Sequence, residues 1–302
     1  MQLRTPVAMM VFSRPETTRR VFEVVRAARP ERLLVVADGP RAARPADVER
    51  CATVRAIFDA VDWPCVVERE FAAENLGCRR RMASGLDWVF SRCEEAIVLE
   101  DDCLPDPSFF PYCEELLERY RDDRRVMAVG GVNFQDGARR GDASYYFSRF
   151  VHVWGWATWR RAWQRYDAGM STWPARRAER YLETFLGSPE AAQYWRGLLD
   201  RTYAGEIDTW DYQWLYAVWQ ECGVVATPNV NLVSNIGAGP EATNTQATNR
   251  FFDLPTRPIE LPLRHPARVA PDHAADAHVQ ATMFRPPRRK GRRGLWQLVS
   301  GE

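Results

Sequence analysis

Lysine is almost absent: of 41 basic residues only Lys290 is one, so arginine carries the positive charge. The 41 bases face 40 acids, a net charge of +1, which gives no reason to expect nucleic acid or another polyanion as partner. No apolar run approaches the roughly 20 residues of a membrane-spanning helix. The opening MQLRTPVAMMVFSRP reads as a first strand, with no small-residue cleavage site after it. The seven cysteines (Cys51, Cys65, Cys78, Cys93, Cys103, Cys113 and Cys222) form no CxxC pair and are odd in number. That argues against a zinc cluster or a disulfide framework and suits a reduced, cytoplasmic protein with structural thiols. Neither GxxxxGKS nor GxGxxG occurs, so no P-loop or Rossmann phosphate cradle is expected.

The first hundred residues instead alternate strand and helix. PVAMMVF (6–12) is a short apolar run, followed by Pro15, Glu16 and Thr17, which suit the first turn of a helix. RLLVVA (32–37), CVVERE (65–70) and EEAIVLEDD (94–102) read as further strands, separated by helices near 46–60 and 82–93. Near-continuous apolar strands alternating with helices indicate an α/β fold with a mostly parallel sheet covered on both faces. A helix after Asp106 and Pro107 and a strand at RVMAVGGVNF (125–134) continue the pattern. Nine of the twelve tryptophans then fall between Trp154 and Trp219, which marks a change of character in the second half. From about residue 251 the chain is rich in Pro and Arg without periodicity. It reads as an extended tail that wraps the domain or is partly disordered.

The most informative residues are Glu100, Asp101 and Asp102. They follow AIVL, so the backbone delivers them to the carboxyl end of a parallel strand, where open α/β sheets bind ligands. Three adjacent carboxylates repel one another unless a cation or protons intervene. They suit Mg(II) or Mn(II) completed by phosphate oxygens, or they are simply solvated acids ending a strand. Asp38 also ends a strand and is placed either to hydrogen-bond a base or ribose or to make an Asp-Gly-Pro turn. Trp154, Trp156, Trp159 and Trp163 are expected mostly in the core. His152, with no second ligand at metal spacing, reads as structural. Asn235 and Gly237 in NLVSNIGAG read as a loop over the site, with Gly237 and Gly239 as its hinge.

Taken in order, these pieces resemble metal-dependent GT-A fold glycosyltransferases from Pro6 to about Thr245. The resemblance is to the N-acetylglucosaminyltransferase that begins N-glycan branching and to bacterial sugar transferases with the same motifs. VFSRPETTRR, LGCRRRMASGLDWVF, LEDDCLPDPSFF, VMAVGGVNFQDG, VWGWATWRRAW, DTWDYQW and NLVSNIG carry it. The resemblance implies a Rossmann-like GT-A fold with a nucleotide-sugar-binding half at 1–103. A catalytic and acceptor half of the same domain follows at 104–250, and a Pro/Arg-rich extension at 251–302. It implies donor contacts from Arg14, Asp38, Arg81, Glu100, Asp101, Trp154 and Trp156, and a divalent cation, Mn(II) or Mg(II), on Asp102.

By the same resemblance a carboxylate base comes from DTWDYQW. Asp211 is the choice and Asp208 the neighbour that could replace it, because Tyr212 stands where the family has a second Asp. N-capping of the following helix is the competing role for both. The activity implied is inverting hexosyl transfer from a nucleotide-diphosphate sugar, a UDP-sugar such as UDP-GlcNAc. The acceptor is a glycan, a lipid-linked or a small-molecule hydroxyl. A sugar nucleotidyltransferase and a nucleotide-sugar-binding protein without turnover are the rival readings. In RPPRRKGRRGLWQLV, six of the nine residues 285–293 are basic. This segment suits peripheral contact with an anionic membrane through Leu295, Trp296 and Leu298, or an ordinary solvated terminus.

Overall fold

A computed structural model describes residues 2–238 and 250–284. The first half runs β1 (Val7–Val11), α1 (Pro15–Ala28), β2 (Arg32–Ala37), α2 (Ala46–Ile57), β3 (Val66–Phe71), α3 (Gly77–Arg92) and β4 (Glu95–Glu100). The second continues with β5 (Cys103–Pro105), α4 (Phe109–Arg119), β6 (Val126–Gly130), β7 (Tyr145–Ser148), β8 (Trp156–Trp159) and α5 (Arg160–Trp163). After these come α6 (Trp173–Ala178), α7 (Tyr181–Leu186), α8 (Pro189–Tyr203), α9 (Asp211–Gln220), β9 (Val224–Pro228), β10 (Val233–Asn235) and α10 (His273–Thr282).

Eight strands form one sheet in the order β3-β2-β1-β4-β8-β6-β9-β7, so both halves of the chain contribute to it. β3, β2, β1 and β4 are mutually parallel, as are β6 and β9. β8 runs antiparallel to both β4 and β6, and β7 to β9. The sheet is thus mixed and mostly parallel, flanked by helices. A separate two-stranded ribbon joins β5 to β10.

Strand period explains how both faces are covered. Val7, Met9 and Val11 point to one core, together with Leu33, Val35, Ile97 and Leu99. Ala8, Met10, Leu34, Val36, Ala96 and Val98 point to the other. α1 covers the first face because Thr18, Val21, Phe22 and Val25 recur at helical spacing. Pro15 starts it, and Arg29, in the left-handed conformation, ends it by donating its N–H to the Val25 carbonyl. α3 covers the second face and comes close because Gly85 sits against Val36 and Met10 with no room for a β-carbon. A third apolar cluster joins Trp173, Leu182, Trp195 and Leu199 to Tyr212, Tyr216 and Trp219 of α9.

From 251 the sequence predicts an extended tail that wraps the domain or is partly disordered; residues 250–284 pack on the domain and include a helix. Ile259 and Leu263 are buried, and α10 forms over HAADAHVQAT, a stretch the Pro/Arg-rich composition around it had masked. Asp272 caps α10 by accepting the Ala275 N–H. Asp276 accepts the Ser148 hydroxyl at 2.7 Å and docks the helix to the end of β7. Residues 285–302, with their expected membrane contact, and Gly239 of the expected hinge lie outside the described residues. Among the described residues no helix is long and apolar enough to cross a membrane.

Candidate functional site

The parallel register fixes the site. Met10 pairs with Glu100, so the carboxyl ends of β1 and β4 lie side by side, next to that of β2. Glu100 continues the face of Ala96 and Val98, the face covered by α3. Beyond the strand end, Asp101 donates its N–H to the Met10 carbonyl at 3.1 Å. Its Oδ2 accepts the Phe12 N–H at 3.1 Å, which pins the turn after β1 to the acidic triplet.

That turn carries Arg14. Its guanidinium bridges two of the acids: Nη2 pairs with Asp101 Oδ1, and Nη1 lies 2.9 Å from Asp102 Oδ2. Arg14 Nε is buried without a hydrogen-bond partner. Glu100, by contrast, makes no ion pair with a guanidinium among the described residues, although the charge of Arg14 reaches it. Burial, and then the neighbouring Asp102 and Asp101, raise its carboxyl to about 8. Glu100 is thus the member of the triplet that holds its proton to higher pH, and in that form it can donate a hydrogen bond.

A small cleft of about 120 Å³, open to solvent, lies between these strand ends and α3. It is lined by Phe12, Arg14, Asp38, Arg81, Glu100 and Asp101, among others. Asp38 is placed in it but is heavily engaged. Oδ1 accepts N–H bonds from Gly39 at 2.8 Å and Leu76 at 2.9 Å. Oδ2 accepts from Asn75 Nδ2 at 2.9 Å and Gly77 N at 3.1 Å. Four donors use the carboxylate's four lone-pair positions. Asp38 thereby caps the first turn of α3, which explains why that helix starts at Gly77, ahead of the expected 82. Arg81 is buried, bonds the Glu70 carbonyl at 2.6 Å and the Glu70 carboxylate, and leaves its own Nε unpartnered.

Asp211 opens α9 as its first residue, with Trp210 at the N-cap, so it is not the helix's cap. Its Oδ1 accepts the Thr209 hydroxyl and the Tyr212 N–H. Burial raises its carboxyl above the ordinary value, and its charge in turn is felt at Glu100. Asp208 is exposed, near the start of α3. The two carboxylates thus differ in setting: Asp211 is half-buried with its charge felt at Glu100, and Asp208 is exposed.

One expected donor contact is corrected. Trp156 is 0% exposed, packed between Trp163, Trp210 and Trp214, because β8 lies inside the sheet and its Val98 pairing turns the indole under α9. It is a core residue and offers no face to a sugar. Trp154 is half-buried against Phe134 and Phe252. His152 lies edge-on to Phe134, and burial lowers its imidazole to about 4, consistent with a structural ring.

Sequence reasoning missed how closely the loop after β10 covers the acids. Ile236 donates to the Asp102 carbonyl at 2.8 Å, and Gly237 to Asn235 Oδ1 at 2.9 Å. A β-carbon on Gly237 would overlap Asp102 Oδ2 and come within 2.8 Å of Arg14 Nη1. The pairing of VSN with CLP was the available signal, but three-residue strands carry almost no periodicity.

Among the described residues no group of three His, Cys, Asp or Glu side chains converges as a metal site. A hard dication here would have one protein ligand, Asp102, and would need the rest of its shell from ligand oxygens and water. Arg14 supplies the positive charge at Asp102 Oδ2, and Oδ1 accepts the Cys103 thiol at 3.5 Å. The chain matches no family model and no curated protein.

Proposed function

We propose that the chain is a GT-A fold glycosyltransferase of the hexosyltransferase kind. It would transfer a sugar from a nucleotide-diphosphate sugar, a UDP-sugar such as UDP-GlcNAc, to an acceptor hydroxyl with inversion. The observation that carries this reading is the cleft itself. At the carboxyl ends of parallel strands it sets two arginines with unpartnered Nε groups, Arg14 and Arg81, beside Glu100 and Asp101, and Arg14 joins these to the adjoining Asp102.

Each side chain then has a task. Arg14 and Arg81 bind diphosphate oxygens, for which planar guanidinium forks are suited. Glu100 donates a hydrogen bond to an oxygen of the ribose or of the donor sugar. A divalent cation held on Asp102, Mn(II) or Mg(II), supplies Lewis-acid stabilisation of the departing diphosphate. Asp211 takes the proton of the acceptor hydroxyl on Oδ2, Oδ1 being held by Thr209 and Tyr212. The acceptor oxygen bonds the anomeric carbon as the bond from that carbon to the diphosphate breaks, and the electron pair leaves with the phosphate. One displacement at that carbon inverts its configuration. The transition state is oxocarbenium-like, as in glycoside hydrolysis, and the acidic surroundings favour it.

A thermal-shift screen of nucleotide sugars, each with and without Mn(II), tests the reading. Stabilisation that requires both a UDP-sugar and metal, roughly 2.7 kcal/mol at 100-fold excess over Kd, is expected. Slow hydrolysis of that donor without acceptor would separate a transferase from a binding protein. No response to any nucleotide sugar would refute it.

A further inference from the structure

We propose that Arg14 is an internal counter-cation, holding Asp102 while the cleft is empty and giving it up to the nucleotide diphosphate. A divalent cation would then gain Asp102 only as the diphosphate arrives. The inference rests on the transferase reading of the cleft and adds an order of events to it.

The geometry points to an exchange. Arg14 Nη1 lies 2.9 Å from Asp102 Oδ2, and Nη2 pairs with Asp101. Gly237 closes over the same oxygen so tightly that not even a methyl group fits. There is no room at Asp102 Oδ2 for a hydrated dication together with the guanidinium, and their like charges oppose each other at that range. The metal and Arg14 therefore compete for one carboxylate.

Arg14 is also built to move. Its backbone is anchored at the start of α1, where its carbonyl accepts the Thr18 N–H at 3.0 Å and the Thr18 hydroxyl at 2.6 Å. Its side chain lines the cleft, and Nε has no partner. A diphosphate oxygen can take Nε together with Nη2, the side-on fork of the guanidinium, and its charge draws the group away from both acids. When the guanidinium turns, both acids lose their ion pair; Asp101 keeps the Phe12 N–H, and Asp102 Oδ2 is released. Because coupling is reciprocal, metal and nucleotide then raise each other's affinity by the same factor.

The test titrates Mn(II) alone into ligand-free protein, with free Mn(II) read by electron paramagnetic resonance. Wild type, Arg14→Met, Arg14→Lys and the double variant Arg14→Met/Asp102→Asn are compared. Arg14→Met is expected to bind Mn(II) about tenfold or more tightly than wild type, and the double variant to lose that gain. Arg14→Lys keeps one charge at the acids and serves if the methionine variant does not fold; its single ammonium cannot bridge both carboxylates, so its affinity falls between the two. Adding UDP is expected to raise wild-type Mn(II) affinity about tenfold and to change the Arg14→Met value far less. Equal Mn(II) affinity of ligand-free wild type and both Arg14 variants overturns the proposal. A ligand-free difference with no effect of UDP or UDP-sugars on any protein refutes the transferase reading and leaves the Arg14–Asp102 competition standing.

Discussion

Gly237 lies directly over Asp102, although 135 positions separate them in the chain, and the contact leaves no space for a side chain. The loop that carries Gly237 is held on one side by the Asp102 carbonyl and on the other by Asn235. Gly237→Ala must therefore displace Asp102, Arg14 or the loop. Since a misplacement of about 1 Å can cost around 100-fold in rate, we expect kcat/KM to fall at least about tenfold with far-UV circular dichroism unchanged. Wild-type kinetics in this variant would show that the loop gives way without disturbing the acids.

Asp211 and Asp208 differ enough in environment to be told apart. Asp211→Asn is expected to lower kcat about 100-fold or more while donor affinity stays within a few-fold, the usual size of a general-base effect. Asp208→Asn, at an exposed position, is expected to change kcat less than about threefold. The reverse ranking would move the base to Asp208.

Glu100 makes stability depend on pH with a defined sign. Its carboxyl is raised from 4.5 to about 8, so the folded chain binds this proton more tightly than the unfolded chain does. The contribution is complete below the unfolded value and is lost as pH rises through about 8. Asp211, also raised, adds a slope of the same sign. Urea midpoints measured across this window should fall more steeply in wild type than in Glu100→Gln, whose amide does not ionise. Parallel curves would mean that Glu100 titrates as in the unfolded chain.

Asp38 is expected to show its cap first in stability. Asp38→Ala removes the acceptor for the N–H groups of Leu76 and Gly77, and an unsatisfied buried donor costs about 1–3 kcal/mol. We expect a loss of about 2 kcal/mol in urea unfolding and faster hydrogen exchange at those two amides. A loss under about 0.5 kcal/mol would show that water replaces the carboxylate.

The parts of the fold legible in the sequence were those where burial imposes a period. β1, β2 and β4 are near-continuous apolar runs because both of their faces are covered, and Glu100–Asp102 are at a strand end because AIVL precedes them directly. α10 was hidden, since its ten residues lie between Pro-rich stretches and bury only Ala275, Asp276 and Val279. Trp156 and Trp154 are two residues apart and chemically identical; only the pairing of β8 with β4 determines which is enclosed. The Arg14–Asp102 contact was illegible for a similar reason. An ion pair spanning 88 positions follows from which strands lie side by side, and no local spacing encodes it.

The most direct measurement is calorimetric titration of UDP-GlcNAc and related UDP-sugars into wild type and Asp102→Asn, both with Mn(II) present. At least one sugar nucleotide should bind wild type, with affinity reduced about tenfold or more in Asp102→Asn. Equal binding by the two proteins, or binding of none of the donors to wild type, would contradict the assignment of this cleft.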